Sequence, residues 1–359
     1  MKAKIIFPRK KTRSVTVGKF VLGDGQPIRI QSMTKVHTRD VRAVLKQIAQ
    51  LETAGCEIVR VACATDEDVK AIGKIRPKIH IPLVADIHFN HRFAIEAIEQ
   101  GVDKLRINPG NIGNEDRVAE VVEKAKKHHI PIRIGVNAGS LEKDLMEKLG
   151  PSPEALVESA RRHVAMLERH DFRDIVISLK ATDVPTMIQA YRLASKKFEY
   201  PLHLGVTEAG TLVRGSVYNA IGVGTLFQEG IGDTVRVSLT ADPVEEVKVA
   251  KMILESLQLR KGVRVISCPT CGRTEIDTAK LAGEVEARTA SFDGPLTIAV
   301  MGCVVNGPGE ARGADFAITG GKGKGMIYVA GKQERVVPEK KLVNELLKEI
   351  HKRSANRER

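Results

Sequence analysis

Short, β-branched apolar runs alternate with longer segments of helical periodicity over the first two thirds of the chain. Strands buried on both faces of a parallel sheet have this form, as continuous apolar runs of about four to eight residues. We predict eight such strands, at residues 28–31, 57–62, 83–86, 104–108, 132–136, 175–179, 202–206 and 234–238.

The segments between these runs predict helices with recognisable ends. In the first segment, Val44, Ile48 and Leu51 recur on one helical face. Ser152 followed by Pro153 is typical of a helix start, where a hydroxyl caps the first turn and proline needs no backbone partner. The seventh segment, 210–230, is rich in Gly and has the weakest helical pattern.

Eight strand–helix units within about 230 residues match an α/β fold of the (β/α)8 TIM-like barrel type. The alternative is a doubly wound open sheet, which the sequence disfavours because no dinucleotide-binding glycine motif follows the first strand. We therefore predict a barrel domain over residues 1–259.

The pattern changes after Arg260 and predicts a small α+β domain over residues 260–359. Helices are expected from about residue 280 and over residues 338–351. The glycine run GGKGKG lacks the spacing of a Walker phosphate loop and is expected to join two strands. The predicted strands of this domain are 263–267, 297–300, 316–319 and 326–329.

Composition narrows the class of protein. Hydrophobic residues make up 42% of the 359, while aromatics make up only 4%, so the core must be aliphatic. The net charge of +13 favours an acidic partner (a nucleic acid, an anionic membrane, a phosphorylated substrate or an acidic redox protein), although a merely solvated basic surface fits equally. The basic N-terminus lacks the apolar region of a signal peptide, and the sequence contains no apolar stretch long enough to predict a membrane span. We expect a soluble cytoplasmic protein.

Three cysteines and a glutamate form the candidate site of the second domain, in the segments CPTC and GCVVNGPGE. Cys268 and Cys271 have a spacing that lets two thiolates bind one centre, Cys303 adds a third, and Glu310 is placed to fill the fourth position. Each segment follows an apolar strand, so the sulfurs are expected to meet at strand ends. Such a set favours an iron–sulfur cluster with one weakly held iron, since electron-transfer clusters normally keep four cysteines.

Two other readings of the cysteines stay open. A structural zinc site uses the same first pair, but the sequence has no second C-x2-C and no His between residues 204 and 350. A free reactive dithiol is the other possibility. Cys56 and Cys63 flank the second strand and are interpreted as small core residues.

Charged and polar residues lie at the predicted carboxyl ends of the strands, where barrel enzymes place their active sites. Buried Arg and Lys side chains are costly without counter-charge, so a polyanionic ligand such as a phosphate or diphosphate is the simplest explanation. The turn NPGNIG is positioned to add backbone donors. The strand-end residues are Arg60, Asp86, His88, Arg106, Asn108, Arg133, Asn137, Lys180, Thr207, Glu208, Arg236 and Ser238.

These motifs together resemble the 4-hydroxy-3-methylbut-2-en-1-yl diphosphate synthase family of the methylerythritol phosphate route, in its short, two-domain bacterial form. The resemblance spans nearly the whole chain. The segments that carry it are QSMT at 31–34, ADIHF at 85–89, LRINPGN at 105–111, RIGVN at 133–137, SLKATD at 178–183, GVTEAG at 205–210, RVSLT at 236–240, CPTCGRTE at 268–275 and GCVVNGPGEA at 302–311.

The resemblance implies an oxidoreductase that reduces 2-C-methyl-D-erythritol 2,4-cyclodiphosphate with electrons from an acidic flavodoxin or ferredoxin. It implies a [4Fe-4S] cluster on Cys268, Cys271, Cys303 and Glu310, with Glu208 handling protons. It also implies a homodimer in which one subunit's cluster serves the other's barrel, with no nucleic-acid or membrane partner. The implied diphosphate ligands are Arg60, His88, Arg106, Asn108, Arg133, Asn137, Lys180, Thr207, Arg236 and Ser238.

Two rival functions remain. The first is a basic nucleic-acid-binding protein with a cysteine zinc module, which the scarcity of aromatics for base stacking disfavours. The second is a pterin- or phosphosugar-binding barrel enzyme with a purely structural cluster.

Overall fold

The computed structural model describes residues 8–112, 114–290, 292, 294–305 and 307–357, without the side chains of Pro109, Ser140 and residues 354–357. Gly113 of the NPGNIG turn and Asn306 of the GCVVNGPGE segment, each part of a predicted site, lie outside the described residues. The chain divides into two compact units, Met1–Arg260 and Lys261–Arg359, one residue from the predicted boundary.

The first unit begins with a short antiparallel hairpin and continues as a parallel barrel. The hairpin strands are β1 (Val15–Val17) and β2 (Phe20–Leu22). Eight parallel strands follow, and a bridge between Ile177 and Leu202 joins the two ends of their sheet. They are β3 (Arg29–Met33), β4 (Ile58–Ala62), β5 (Leu83–Asp86), β6 (Lys104–Ile107), β7 (Ile132–Asn137), β8 (Ile175–Lys180), β9 (His203–Leu204) and β10 (Thr234–Val235).

Helices surround the barrel, which confirms the predicted (β/α)8 fold. Asp40 caps the first helix by accepting from the Ala43 N–H, and Gly55 ends it in the left-handed conformation. The helices are α1 (Val41–Ala54), α2 (Asp66–Ile75), α3 (His91–Glu99), α4 (Pro109–Ile112), α5 (Glu115–His128), α6 (Lys143–Leu149), α7 (Pro153–Arg169), α8 (Val184–Lys197), α9 (Leu212–Gln228) and α10 (Pro243–Ser256), with short 3-10 turns at Arg76–Lys78 and Ala138–Ser140.

Alternation along the strands separates two environments. Residues such as Val59, Leu105 and Ile134 point outward into one large core shared with the helices. The next residues point into the barrel, where Ile58 and Val84 pack against the hairpin and close the amino-terminal end of the barrel with an apolar plug. The carboxyl ends of the strands are thereby left as the polar end of the barrel.

The second unit is a five-stranded sheet with helices on both faces. Strands β11 (Val263–Ser267), β12 (Leu296–Met301) and β13 (Phe316–Gly321) are parallel, and β14 (Lys324–Val329) and β15 (Lys332–Pro338) continue the sheet antiparallel. The main core lies between the sheet and the helices α11 (Thr278–Thr289) and α13 (Leu342–Arg357), while α12 (Gly307–Gly313) packs on the opposite face. A 3-10 turn at Glu339–Lys341 precedes α13.

Several boundaries differ from the prediction. The seventh and eighth barrel strands were predicted at 202–206 and 234–238, but both are two residues long, and single backbone hydrogen bonds continue beyond them, from the Arg236 N–H to the Leu204 carbonyl. The final helix begins after a proline-terminated strand rather than at Pro338. The weakest predicted helix, 210–230, is confirmed as the 17-residue α9. Among the described helices, none is long and apolar enough to cross a membrane.

Candidate functional site

The strand-end cations converge inside the barrel mouth. Arg60 and Asp86 occupy inward positions on β4 and β5, and Arg106 lies opposite both Asp86 and Arg133 in the registers of β5–β6 and β6–β7. Lys180 lies beside Asn137 at the ends of β8 and β7. The topology therefore brings the predicted cations to one edge of the barrel, with all but Arg236 almost fully buried.

Asp86 is the main counter-charge of this cluster. Its Oδ1 accepts a 3.0 Å hydrogen bond from Arg106 Nη1, and its Oδ2 lies 3.5 Å from Arg60 Nε. Burial opposes ionisation of this carboxyl, but the Arg60 and Arg106 guanidiniums outweigh burial and hold the pKa of Asp86 well below its ordinary value. The same two contacts orient the guanidiniums. The structure thus pairs Asp86 with arginines of both neighbouring strands.

Arg106 extends the network to two other strands. Its Nη2 donates to the Gly135 carbonyl at 3.2 Å, and its Nη1 lies 3.1 Å from His88 Nε2. A Cβ at Gly135 would lie 2.3 Å from Arg106 Nε, so only glycine leaves room for this guanidinium. His88 itself is exposed at the mouth, where its ring reaches solvent.

A second buried carboxylate, Glu246 of α10, was missed by sequence analysis. It lies 3.4 Å from Arg236 Nη2 and 3.1 Å from Lys35 Nζ, and it accepts hydrogen bonds from Ser32 Oγ and the Leu239 N–H. A signal for this residue was present in the sequence. Glu246 is the single glutamate among the buried positions of α10, and the other buried residues of this helix are apolar.

The remaining cations form no ion pair among the described residues. Arg133 is 1% exposed, and its Nε and Nη1 have no hydrogen-bond partner among the described residues. Burial and then the nearby Arg60 and Arg106 lower the pKa of Arg133 well below its ordinary value. Burial and then Arg236 and Arg60 do the same to the pKa of Lys180. An unpaired buried cation is costly, so this arrangement is organised to receive an anion.

The polar residues predicted beside these cations lie at the same edge. Asn108 is buried and accepts from the Gly110 N–H at 3.3 Å, which shapes the turn after β6. Thr207 follows β9, and its backbone N–H donates to the Ala181 carbonyl after β8. Ser238 and Asn137 are half-buried, and Asn137 interacts with another group of the protein.

Glu208 has a backbone conformation that few glutamates adopt. Its φ is 54°, in the left-handed region, and its side chain is exposed with no ion pair among the described residues. A non-glycine residue held there is strained, and such residues cluster at functional sites.

The candidate cluster ligands lie at the ends of adjacent parallel strands in the second unit. Cys268 directly follows β11, and its N–H donates to the Val300 carbonyl of β12, which places it near the segment that carries Cys303. Cys268 Sγ accepts a 3.2 Å hydrogen bond from the Gly302 N–H. Cys271 and Glu310 are exposed, the latter on α12. Gly307 and Gly309 lie in the first turn of this short helix.

The CPTC loop favours the thiolate form of Cys271. Thr270, between the two cysteines, has a φ of 58°, a strained value for a β-branched residue. Backbone and side-chain hydrogen bonds from Arg273 lower the pKa of the Cys271 thiol. Cys56 and Cys63 behave differently, since both are buried in the barrel core and burial raises their thiol pKa values to about 12. Their interpretation as core residues is confirmed.

The donor set fits an iron–sulfur cluster. Three free thiols and a carboxylate lie in the two segments that follow the adjacent strands β11 and β12, and backbone N–H groups donate to two of the sulfurs, as cluster sulfurs require. Among the described residues, no three Cys, His, Asp or Glu side chains form a group that fits a single metal ion. Ligands of a cluster bind separate irons and so lie farther apart than ligands of one ion.

Comparison with known proteins decides the family. A family model described as the GcpE TIM-barrel domain matches residues 12–251, and one described as the GcpE protein C-terminal domain matches residues 264–352. The chain belongs to the GcpE family. The two matched ranges correspond to the two compact units.

This chain is similar to other members of the family over almost their whole length. The chain is 57% identical over 346 residues to the 4-hydroxy-3-methylbut-2-en-1-yl diphosphate synthase (flavodoxin) of Caldanaerobacter subterraneus subsp. tengcongensis, covering 96% of this chain and 98% of that protein. It is 57% identical over 344 residues to the protein of the same name from Clostridium perfringens, covering 95% and 99%.

The barrel is also similar to a solved structure of another enzyme. The 3-dehydroquinate dehydratase of Geobacillus kaustophilus superposes with a TM-score of 0.51 at 14% identity, covering 68% of this chain and 96% of that one. At this identity the likeness shows the fold alone, and it supports the barrel assignment.

Proposed function

We propose that this chain converts 2-C-methyl-D-erythritol 2,4-cyclodiphosphate to (E)-4-hydroxy-3-methylbut-2-enyl diphosphate in non-mevalonate isoprenoid biosynthesis. It acts as an oxidoreductase on CH or CH2 groups and takes its electrons from flavodoxin or ferredoxin. The observation that carries the proposal is the set of buried, unpaired cations at the barrel mouth, in a chain whose relatives at 57% identity are named for this activity. The zinc and nucleic-acid alternative gains no support from these relatives.

The barrel residues bind and orient the diphosphate in this proposal. Arg133 supplies donors that lack partners among the described residues, Lys180 adds a buried charge, and Asp86 already orients Arg60 and Arg106. Fixed cations neutralise the diphosphate without reorganising, so the ring is held in one pose while water is excluded. The full proposed set is Arg60, His88, Arg106, Asn108, Arg133, Asn137, Lys180, Thr207, Arg236 and Ser238.

The second unit holds the cofactor. We assign Cys268, Cys271, Cys303 and Glu310 as ligands of a [4Fe-4S] cluster, which when bound supplies single electrons and one iron with a weaker oxygen ligand. Arg273 stabilises the thiolate that binds iron, and the Gly302 N–H donates to the Cys268 sulfur. Free thiols persist in a reducing compartment, which supports the proposed cytoplasmic location.

Glu208 is proposed as the residue that handles protons in the reaction. We expect Glu208→Gln to lower kcat about 100-fold or more while leaving KM little changed, because the amide keeps the shape but cannot transfer a proton. The matched control is Glu154→Gln, an exposed glutamate at the start of α7. Steady-state kinetics with the cyclic diphosphate measures both parameters, and full kcat in Glu208→Gln contradicts the assignment.

The proposed homodimer has a candidate surface on α9. Val213, Val217 and Ile221 recur every four residues along one face, and they are 77%, 50% and 54% exposed. A helix that is apolar on its outer face as well as its inner face normally packs against another chain. A second copy presents the same stripe, so the surface is self-complementary.

We expect Ile221→Glu to convert the dimer to a monomer, because it places a charge in the centre of this stripe. Light scattering after size-exclusion chromatography measures the mass. Val336→Glu, at an equally exposed valine of β15, serves as control and is expected to stay dimeric. A monomeric wild type, or a dimeric Ile221→Glu, contradicts the assigned surface.

Turnover tests the proposed function. Protein purified without oxygen is mixed with the cyclic diphosphate and reduced flavodoxin, and phosphorus NMR follows the substrate. We expect the allylic diphosphate to form only when the reductant is present. Unchanged substrate with iron-loaded protein contradicts the proposal.

A further inference from the structure

A layer of polar side chains lies inside the barrel between the apolar plug and the mouth. Lys104 is fully buried, and its Nζ has no hydrogen-bond partner among the described residues. Both polar atoms of the Gln31 amide and the Nε2 atom of His203 are likewise buried without partners. His203 Nδ1 lies 2.7 Å from Thr234 Oγ1, so only one side of the ring is satisfied.

These side chains belong to the barrel interior and not to the helix-facing core. Leu105 and Ile107 point outward into the helix-packed core, so Lys104 shares its inward face with Arg106. Gln31 lies opposite Ile58, a residue of the apolar plug. The layer therefore lies directly under Arg133 and the other mouth cations.

The charge inside the barrel is unbalanced. Among the described residues, the interior holds six basic side chains, Lys104, Arg60, Arg106, Arg133, Lys180 and Arg236, against the buried carboxylates Asp86 and Glu246. Arg133 and Arg60 are the charged groups that act on Lys104, His203 also lies within its reach, and Lys104 itself forms no ion pair with a carboxylate among the described residues. Burial, followed by these two arginines, lowers the pKa of Lys104 well below its ordinary value.

We propose that Lys104 is a positioning residue which is uncharged in the empty barrel and gains a proton when the diphosphate binds above it, with Gln31 and His203 completing a hydrated donor layer beneath the ligand. The inference rests on the proposed diphosphate site. The arriving anion supplies the missing counter-charge, so the ammonium form becomes stable only in the complex. Ordered water joins the unpartnered atoms, since buried polar groups of both donor and acceptor type are normally bridged in this way. The proton comes from solvent, and no bond to the ligand forms or breaks.

The proposal separates binding from stability. Replacing an unpaired buried amine with an apolar group of similar length removes a desolvation cost, so Lys104→Met is expected to raise the Tm of the ligand-free protein. The same change is expected to weaken binding of inorganic pyrophosphate. A purely structural lysine gives a lower Tm instead.

The deciding experiment is titration calorimetry of the full-length protein with inorganic pyrophosphate, in buffers of different ionisation enthalpy. At about pH 8, the wild type is expected to take up about one more proton per bound pyrophosphate than Lys104→Met does. Binding to the wild type is expected to weaken as pH rises, because the proton gained in the complex becomes harder to supply. Lys127→Met, at an exposed lysine of α5, is the control and is expected to match the wild type.

The outcomes are distinguishable. Equal proton uptake by the wild type and Lys104→Met overturns the role of Lys104 and leaves the diphosphate site standing. Absence of pyrophosphate binding to the wild type overturns the proposed diphosphate site, and with it this inference. If Lys104→Met does not fold, Lys104→Gln keeps a polar side chain without a titrating amine, and the same comparison decides.

Discussion

Cys303→Ser is expected to lose the cluster and with it all turnover. Serine oxygen is a poorer ligand for iron than thiolate, and Cys303 is the one cysteine contributed by the segment after β12. Even groups that only support metal ligands reduce affinity or activity by about 10- to 100-fold when changed, so loss of a ligand is expected to exceed that. The measurements are iron content, the visible absorption of the anaerobic protein, and the rate with the cyclic diphosphate.

The control for this change is Cys63→Ala, at a cysteine buried in the barrel core. We expect it to lower stability by about 1 kcal/mol and to keep full iron content. The fold of Cys303→Ser is checked by circular dichroism, since residue 303 is only half-buried and contributes little to the core. Full iron and full activity in Cys303→Ser contradict its assignment as a ligand.

Arg133→Met is expected to lower kcat/KM by roughly 30- to 5,000-fold, which corresponds to the loss of about 2–5 kcal/mol when one partner of a buried charge pair is removed. The Nε and Nη1 atoms of Arg133 have no hydrogen-bond partner among the described residues, so both can donate to a diphosphate. The Tm of the ligand-free protein is expected to stay the same or rise, because an apolar side chain replaces an unpaired buried charge.

The pattern of effects distinguishes binding from folding. Arg117→Met, at an exposed arginine of α5, is expected to change neither parameter. If Arg133→Met instead lowers the Tm, and the protein that remains folded binds pyrophosphate as tightly as the wild type, Arg133 is structural and its proposed role in binding is wrong.

The sequence was sufficient to predict the barrel and the strand ends at which the candidate residues lie. Strand alternation and chain order place Arg60, Arg106 and Arg133 at one edge of any such barrel. It was not sufficient to predict which charges pair, because the partners meet across strands far apart in sequence. Asp86 reaches arginines on both neighbouring strands, and Glu246 reaches Arg236 from a helix outside the barrel.

The features that the sequence did not predict were missed for similar physical reasons. The first hairpin consists of two three-residue strands, too short to show a period, and only its packing on the apolar plug reveals its role. Lys104 lies at an inward position of a predicted strand, so alternation could have identified it. Its lack of a partner depends on neighbours that only the folded barrel brings together.

The central untested claim is that three cysteines and Glu310 hold one four-iron cluster. Mössbauer spectroscopy of the anaerobic protein loaded with iron-57 tests this most directly. We expect about four irons per chain, of which about three have a terminal cysteine sulfur ligand and about one has a terminal oxygen ligand. A colourless protein with stoichiometric zinc, or a spectrum of four equivalent sulfur-bound irons, contradicts the claim.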